Sequence, residues 1–226
     1  MIDVMIKRIV LTGAPGSGKG TWSKILSDRF LLPHISSGDL FRAEMAAQSP
    51  LGQEIRSYVD SGSLVPDDLT IQLIKEVIVE GAGSQGFILD GFPRTLAQAR
   101  ALDQILEDCG QKLDLVIDID VEEPVLIQRA LSRFICQDCG QPYNTTTMQP
   151  ATPDVCDRCG GKVVRRGDDT EETLKRRFAA YQEETAPLAG YYDLQGKRVV
   201  FANSGPPDQA AQEELLELME AKVLPA

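Results

Sequence analysis

Short apolar, β-branched runs alternate along the chain with longer stretches in which apolar positions recur at helical spacing. The runs are Ile6-Lys7-Arg8-Ile9-Val10-Leu11-Thr12, Gly86-Phe87-Ile88-Leu89-Asp90, Leu113-Asp114-Leu115-Val116-Ile117-Asp118-Ile119 and Arg198-Val199-Val200-Phe201-Ala202, with His34-Ile35-Ser36 a very short addition. Helices are expected over 19–29, 40–61, 67–80, 96–109, 125–132, 171–193 and 207–224. Strands alternating with helices imply an α/β fold whose mainly parallel sheet is covered on both faces. Residues 134–166 break the rhythm: they hold four cysteines and several Pro and Gly breaks, with little helical periodicity. About thirty residues are too few for an independent core, so this insert calls for a metal as its support.

The chain has 226 residues, enough for one α/β domain with small insertions, and 42% hydrophobic residues, enough for a real core. Its formal net charge of −11 makes it a poor general surface for nucleic acid, so a polyanionic ligand has to be met by locally gathered Arg and Lys. No apolar run approaches the ~18 residues of a membrane span. The first residues carry their charges after the apolar positions, unlike a signal peptide, and a cytoplasmic location is expected.

Gly13-Ala14-Pro15-Gly16-Ser17-Gly18-Lys19-Gly20-Thr21 follows the first strand and opens a helix. Glycines let successive amides turn toward one point, and the helix N-terminus adds positive potential, so the loop suits a nucleotide's phosphates with Lys19 on the β- and γ-phosphates. The position after the lysine is Gly20, with the hydroxyl one later at Thr21, which leaves Mg²⁺ to phosphates and water. Asp90 ends an apolar strand where an acid associated with Mg²⁺ is expected; a plain strand-ending turn residue is the alternative.

Cys136, Cys139, Cys156 and Cys159 form two Cys-x-x-Cys pairs, each followed by glycine. The spacing reads as a closed, structural zinc site; iron at the same site and disulfides are the alternatives. Cys109 is expected to be a buried or half-buried thiol, and His34 to pack at a strand edge.

The chain resembles the adenylate kinase family of nucleoside monophosphate kinases. The resemblance rests on the phosphate loop, Ile35-Ser36-Ser37-Gly38-Asp39-Leu40-Phe41-Arg42, Leu89-Asp90-Gly91-Phe92-Pro93-Arg94, and Arg166-Gly167-Asp168-Asp169 with Arg177 behind. With the cysteine quartet it looks like the bacterial long form with a zinc-binding lid. The resemblance implies a P-loop NTPase-type parallel five-stranded sheet flanked by helices, with a core from 1–35, 66–131 and 170–226, an AMP-binding flap at 36–65 and a lid at 132–169. It implies binding of ATP, AMP and ADP, with Mg²⁺ used with ATP and a structural Zn²⁺; a monomer is expected, and the acidic balance and the lack of an apolar span lead to the expectation of neither nucleic acid nor membrane as a partner.

The resemblance also implies roles. Gly16, Ser17, Gly18, Lys19, Gly20 and Thr21 match the ATP phosphate site, Arg129 a stacking residue over the ATP adenine, and Arg133, Pro142 and Tyr143 lid contacts to ATP. A backbone carbonyl near Gly205 would hold that adenine. Ser37, Arg42, Ser63, Leu64, Val65, Gly91, Phe92, Pro93, Arg94 and Gln98 match AMP contacts, with Gln98 on the adenine edge. Lys19, Asp90, Arg94, Arg133, Arg166 and Arg177 match the catalytic set, Arg166 and Arg177 also touching AMP. Physics agrees with a cationic set: joining two polyanions demands concentrated positive charge, and arginine's planar fork suits phosphate oxygens. The acceptor phosphate is already ionised, so no protein base is required. The expected reaction is ATP + AMP giving two ADP. Another monophosphate (CMP or UMP), GTP as donor, or a zinc-ribbon nucleic-acid-binding module are the competing readings.

Overall fold

Consecutive residues of β1 (Arg8–Thr12) are buried on opposite faces of a sheet, Ile9 and Leu11 toward one core and Val10 toward another. This is why the strand reads as a continuous apolar run. The computed structural model describes residues 6–82, 85–145, 148–165, 170–203 and 205–223. β1 pairs in parallel with β3 (Phe87–Asp90) and β4 (Leu115–Asp120), Val10 standing opposite both Leu89 and Val116. β2 (His34–Ser36) and β8 (Arg198–Ala202) complete the five-stranded parallel sheet in the order β2-β3-β1-β4-β8.

One face packs Ile9, Leu11, Ile88, Leu115 and Ile117 against Trp22 and Leu26 of α1 (Lys19–Phe30) and Leu215 and Met219 of α9 (Gln209–Val223). The other packs Val10, Phe87, Leu89 and Val116 against Ile74 of α4 (Asp67–Val77), Leu102 and Leu106 of α5 (Leu96–Asp108), and Tyr192 of α8 (Leu188–Leu194). The sheet is thus sandwiched between helices, and its carboxyl ends feed the loops that build a cleft.

Two expected helices are each divided. The stretch 40–61 is α2 (Ser37–Ala46) and α3 (Pro50–Ser61), separated where Gln48 takes a φ of 53°. Pro50 has no N–H for a continuing helix, whereas at the first position of a new one that loss costs nothing. Ser49 caps α3 by accepting from the Gly52 N–H at 2.8 Å. The stretch 171–193 is α7 (Glu171–Ala180), a π-helical turn (Tyr181–Thr185) and α8, divided by Pro187. The helix expected to end near 80 likewise passes from α4 into a π turn at Ile78–Ala82.

Phe41, Ile55, Val65 and Leu73 form a satellite core beneath α2 and α3. After α6 (Glu123–Leu131) comes the insert, which contains a small antiparallel sheet, β6-β5-β7, of β5 (Arg133–Cys136), β6 (Pro142–Asn144) and β7 (Val163–Arg165). Among the described residues its buried set is Cys136, Tyr143, Cys156 and Val163. So little apolar area cannot hold a fold unaided.

Candidate active site

The turn from β1 into α1 sets the floor of the site. Gly16 has φ 86°, and a Cβ on it would stand 2.4 Å from the Leu126 carbonyl oxygen, so the loop fits only as glycine against α6. Lys19 opens α1 and folds back over the loop, its Nζ donating to the carbonyls of Gly13 at 2.6 Å and Ala14 at 2.9 Å. Burial strips water from this ammonium and lowers its pKa to about 8, Asp90 opposing the shift and Arg94 and Arg133 adding to it.

Asp90, at the carboxyl end of β3, faces the loop. Burial raises its carboxyl, but the His34 imidazole, Lys19 and Arg94 outweigh this and hold Asp90 below the ordinary carboxylate value. His34 Nε2 lies 3.7 Å from Asp90 Oδ2, an ion-pair distance and too long for a direct hydrogen bond. A Cβ on Gly20 would stand 3.3 Å from the same Oδ2, so the missing side chain gives this carboxylate room beside the helix.

Gly91 follows with φ 76°, and its carbonyl accepts from Arg94 Nε at 2.8 Å and from Ser37 Oγ at 2.7 Å. Across the cleft Arg42 pairs with Asp39 at 2.5 Å. On the opposite wall Arg129 donates to the carbonyls of Asn203 at 3.3 Å and Gly205 at 2.7 Å, fixing the loop after β8 against α6; partial burial lowers its pKa.

These parts surround one cleft with a cavity volume of about 300 Å³. Among the described residues seven cationic side chains line it, Lys19, Lys24, Arg42, Arg94, Arg129, Arg133 and Arg177, against two carboxylates, Asp39 and Asp90. In a chain of net charge −11 this segregation builds a strong local field for anions.

Most expected site residues meet here: Gly16, Ser17, Gly18, Gly20, Thr21, Ser63, Leu64, Val65, Gly91, Pro93, Pro142, Tyr143 and Gly205 also line the cleft. Ser37 lies just behind, bonded to Gly91. Phe92 is fully buried in the sheet core. Gln98 is 2% exposed, its Nε2 donating to Asp67 Oδ1 at 2.7 Å and its Oε1 accepting from the Arg94 N–H at 2.7 Å. Arg166 lies outside the described residues. Cys109, expected to be buried or half-buried, is exposed. Sequence reasoning missed Lys24, Tyr181 and Thr185 as lining residues; no motif surrounds them, and only tertiary packing brings them to the cleft.

Beside the cleft the four cysteine sulfurs lie within 4.8 Å of one another. Cys136 and Cys159 Sγ are 3.5 Å apart, Cys139 and Cys156 Sγ 3.6 Å. A tetrahedron with Zn–S of ~2.3 Å has edges of ~3.8 Å, so the cluster fits a structural zinc site with no open position for chemistry. Tyr143 donates to Cys156 Sγ at 3.4 Å and accepts from the Asp157 N–H at 2.8 Å. Desolvation opposes the Cys156 thiolate, but Tyr143 and the backbone amides of Cys159 and Arg158 prevail and lower the pKa to about 6. Among the described residues no helix is long and apolar enough to cross a membrane.

Comparison with known proteins fits this geometry. The adenylate kinase family model matches residues 11–197. The adenylate kinase of Clostridium tetani is 45% identical over 87% of this chain and 90% of its own length. That of Bacillus subtilis is 46% identical over 83% of this chain and 87% of its own, and that of Enterococcus faecalis 48% identical over 83% and 88%.

Proposed function

The chain belongs to the adenylate kinase family and is an ATP:AMP phosphotransferase; we propose that its cleft holds ATP and AMP end to end and moves the γ-phosphoryl group between them. The observation that carries this reading is the gathering, among the described residues, of seven cations around the phosphate loop of an acidic chain.

In the proposed arrangement the amides of Gly16, Ser17, Gly18, Gly20 and Thr21 cradle the ATP phosphates. Lys19 leaves the Gly13 and Ala14 carbonyls for the β- and γ-phosphates. Arg42 leaves Asp39 for the AMP phosphate, with Arg94 and Arg177 beside it and Arg166 joining them. Ser37, Ser63, Leu64, Val65, Gly91 and Pro93 line the AMP side, with Phe92 and Gln98 behind them. Arg129, Arg133, Pro142, Tyr143 and Gly205 line the ATP side. Gln98 reaches the adenine edge once its amide turns from Asp67.

An oxygen of the AMP phosphate attacks the γ-phosphorus in line, the bond to the bridging β-oxygen breaks, and two ADP result. The acceptor is already ionised, so no proton has to move. The equatorial oxygens gather charge in the transition state, and fixed guanidiniums answer it without reorganising. Mg²⁺ bound with ATP would neutralise phosphate charge, and Asp90 is the residue that would hold its water.

Residues 36–65 act as the AMP flap and 132–169 as the lid, closing on the core formed by 1–35, 66–131 and 170–226 and excluding water. Zinc on Cys136, Cys139, Cys156 and Cys159 gives the lid its rigidity. The enzyme works as a monomer on free nucleotides in the cytoplasm. A coupled assay of ADP formation tests the reading: AMP with ATP is the best pair, and Lys19→Met loses turnover by about three orders of magnitude. Faster transfer to CMP, UMP or GMP contradicts it.

A further inference from the structure

Thr185 lines the cleft but has no part in the transfer scheme above. It closes the π-helical turn Tyr181–Thr185 that follows α7, the helix carrying Arg177. Over the eight residues from Arg177 to Thr185 a regular α-helix would turn the side chain about 80° from its starting face. The widened turn, closed by the Ala186 N–H on the Tyr181 carbonyl at 2.8 Å, absorbs one of those residues and leaves about two whole turns. Arg177, Tyr181 and Thr185 therefore share the wall that faces the cleft. Turns of this kind are rare within helices and concentrate at functional sites.

Thr185 is 8% exposed, and its Oγ1 donates to the Arg94 carbonyl at 2.9 Å, joining residues 91 apart in the chain. Arg94 is also held through its N–H, which donates to Gln98 Oε1 at 2.7 Å, and through its Nε, which donates to the Gly91 carbonyl at 2.8 Å. Nucleotide binding affects these contacts differently. In the scheme above the Gln98 amide turns toward the adenine, which takes Oε1 away from the Arg94 N–H. The Thr185 bond reaches a peptide carbonyl that the scheme assigns to neither nucleotide, so it stays in place while the cleft fills.

We propose that Thr185 is a positioning residue for phosphoryl transfer: through the Arg94 carbonyl it holds the Arg94 guanidinium in register with Arg177 beside the reacting phosphates. A guanidinium answers transition-state charge best where it is fixed before that charge develops, and a misplacement of about 1 Å costs up to about a hundredfold in rate. The hydroxyl is the necessary part of the side chain, because a carbonyl only accepts and needs a donor opposite it. The inference rests on the proposed two-nucleotide cleft and adds to it a residue that acts through Arg94 without touching substrate.

The test measures ADP formation by the full-length protein as wild type, Thr185→Val, Thr185→Ser, Arg94→Met and the Thr185→Val, Arg94→Met double variant. Thermal unfolding checks the fold, and binding of diadenosine pentaphosphate, which spans both nucleotide sites, checks the cleft of the Thr185 variants. Thr185→Val lowers kcat about tenfold while KM for AMP and for ATP changes less than about twofold, because the loss falls on the transition state. Thr185→Ser keeps the donor and holds kcat within about twofold of wild type. In the Arg94→Met background Thr185→Val costs nothing further, since the residue it positions is gone. Where Thr185→Val does not fold, Thr185→Ala takes its place with the same expectation. Wild-type kcat in Thr185→Val overturns the proposal, and so does an equal loss in Thr185→Ser or a further tenfold loss in the Arg94→Met background. Each of these results leaves the cleft reading standing. Failure of the wild type to form ADP from ATP and AMP overturns that reading and the role of Thr185 with it.

Discussion

Gly20 leaves open the space that the Asp90 carboxylate faces: a Cβ on Gly20 would stand 3.3 Å from Asp90 Oδ2. Stability and activity should therefore separate at this position. Gly20→Ala adds helix propensity worth up to about 1 kcal/mol in the first turn of α1. It also crowds the carboxylate and displaces it from the loop, and such misplacement costs about tenfold or more in turnover. The expected result is an unchanged or slightly higher melting temperature with kcat reduced about tenfold; full turnover would show that the space has no role.

The lowered pKa of Lys19, about 8, sets a pH dependence for ATP binding. The phosphates favour the charged amine, so its pKa is higher in the complex than in the free protein. Below pH 8 the free amine is already protonated and affinity is flat. Above pH 8 binding has to take up a proton, and the ATP Kd rises by up to about tenfold per pH unit. Titrations from pH 7 to pH 9.5 check this; Lys19→Arg flattens the profile, and an unchanged wild-type Kd at the upper end contradicts it.

Tyr143 ties the second knuckle to β6 through Cys156 and the Asp157 amide. Tyr143→Phe leaves that amide unanswered, at a cost of about 1–3 kcal/mol, and the cost falls on the small lid rather than on the main sheet. Zinc loss to a chelator should accelerate about tenfold, while the melting of the core stays in place.

Trp22 packs edge-on to Phe201 with ring centroids 4.9 Å apart and is 3% exposed. Nothing in the sequence pattern explained an indole directly after the phosphate loop; the structure shows it filling the core under that loop. Trp22→Ala should destabilise by about 3–5 kcal/mol in denaturant unfolding, and Trp22→Phe by clearly less.

Legibility followed how local the cause was. The phosphate loop, the Asp90 strand end and the cysteine quartet were legible because each depends on spacing within a few residues. The parallel sheet was legible because β1, β3 and β4 are buried on both faces. The divisions at Pro50 and Pro187 were signalled by the prolines, but apolar periodicity continued across them and masked the breaks. The lid sheet was not legible, because its strands are short and its core is mostly sulfur. Gln98 shows the limit of reading one residue at a time: its contacts with Asp67 and Arg94 follow from how α4 packs on α5, which no local pattern encodes.

The central claim is that one continuous cleft grips both nucleotides together. Titration calorimetry with diadenosine pentaphosphate, paired with inhibition kinetics, addresses it most directly. The account predicts one analogue per chain, competitive against ATP and against AMP alike, with affinity weakened by orders of magnitude in Arg94→Met. Two analogues per chain, or competition with one nucleotide and not the other, would contradict it.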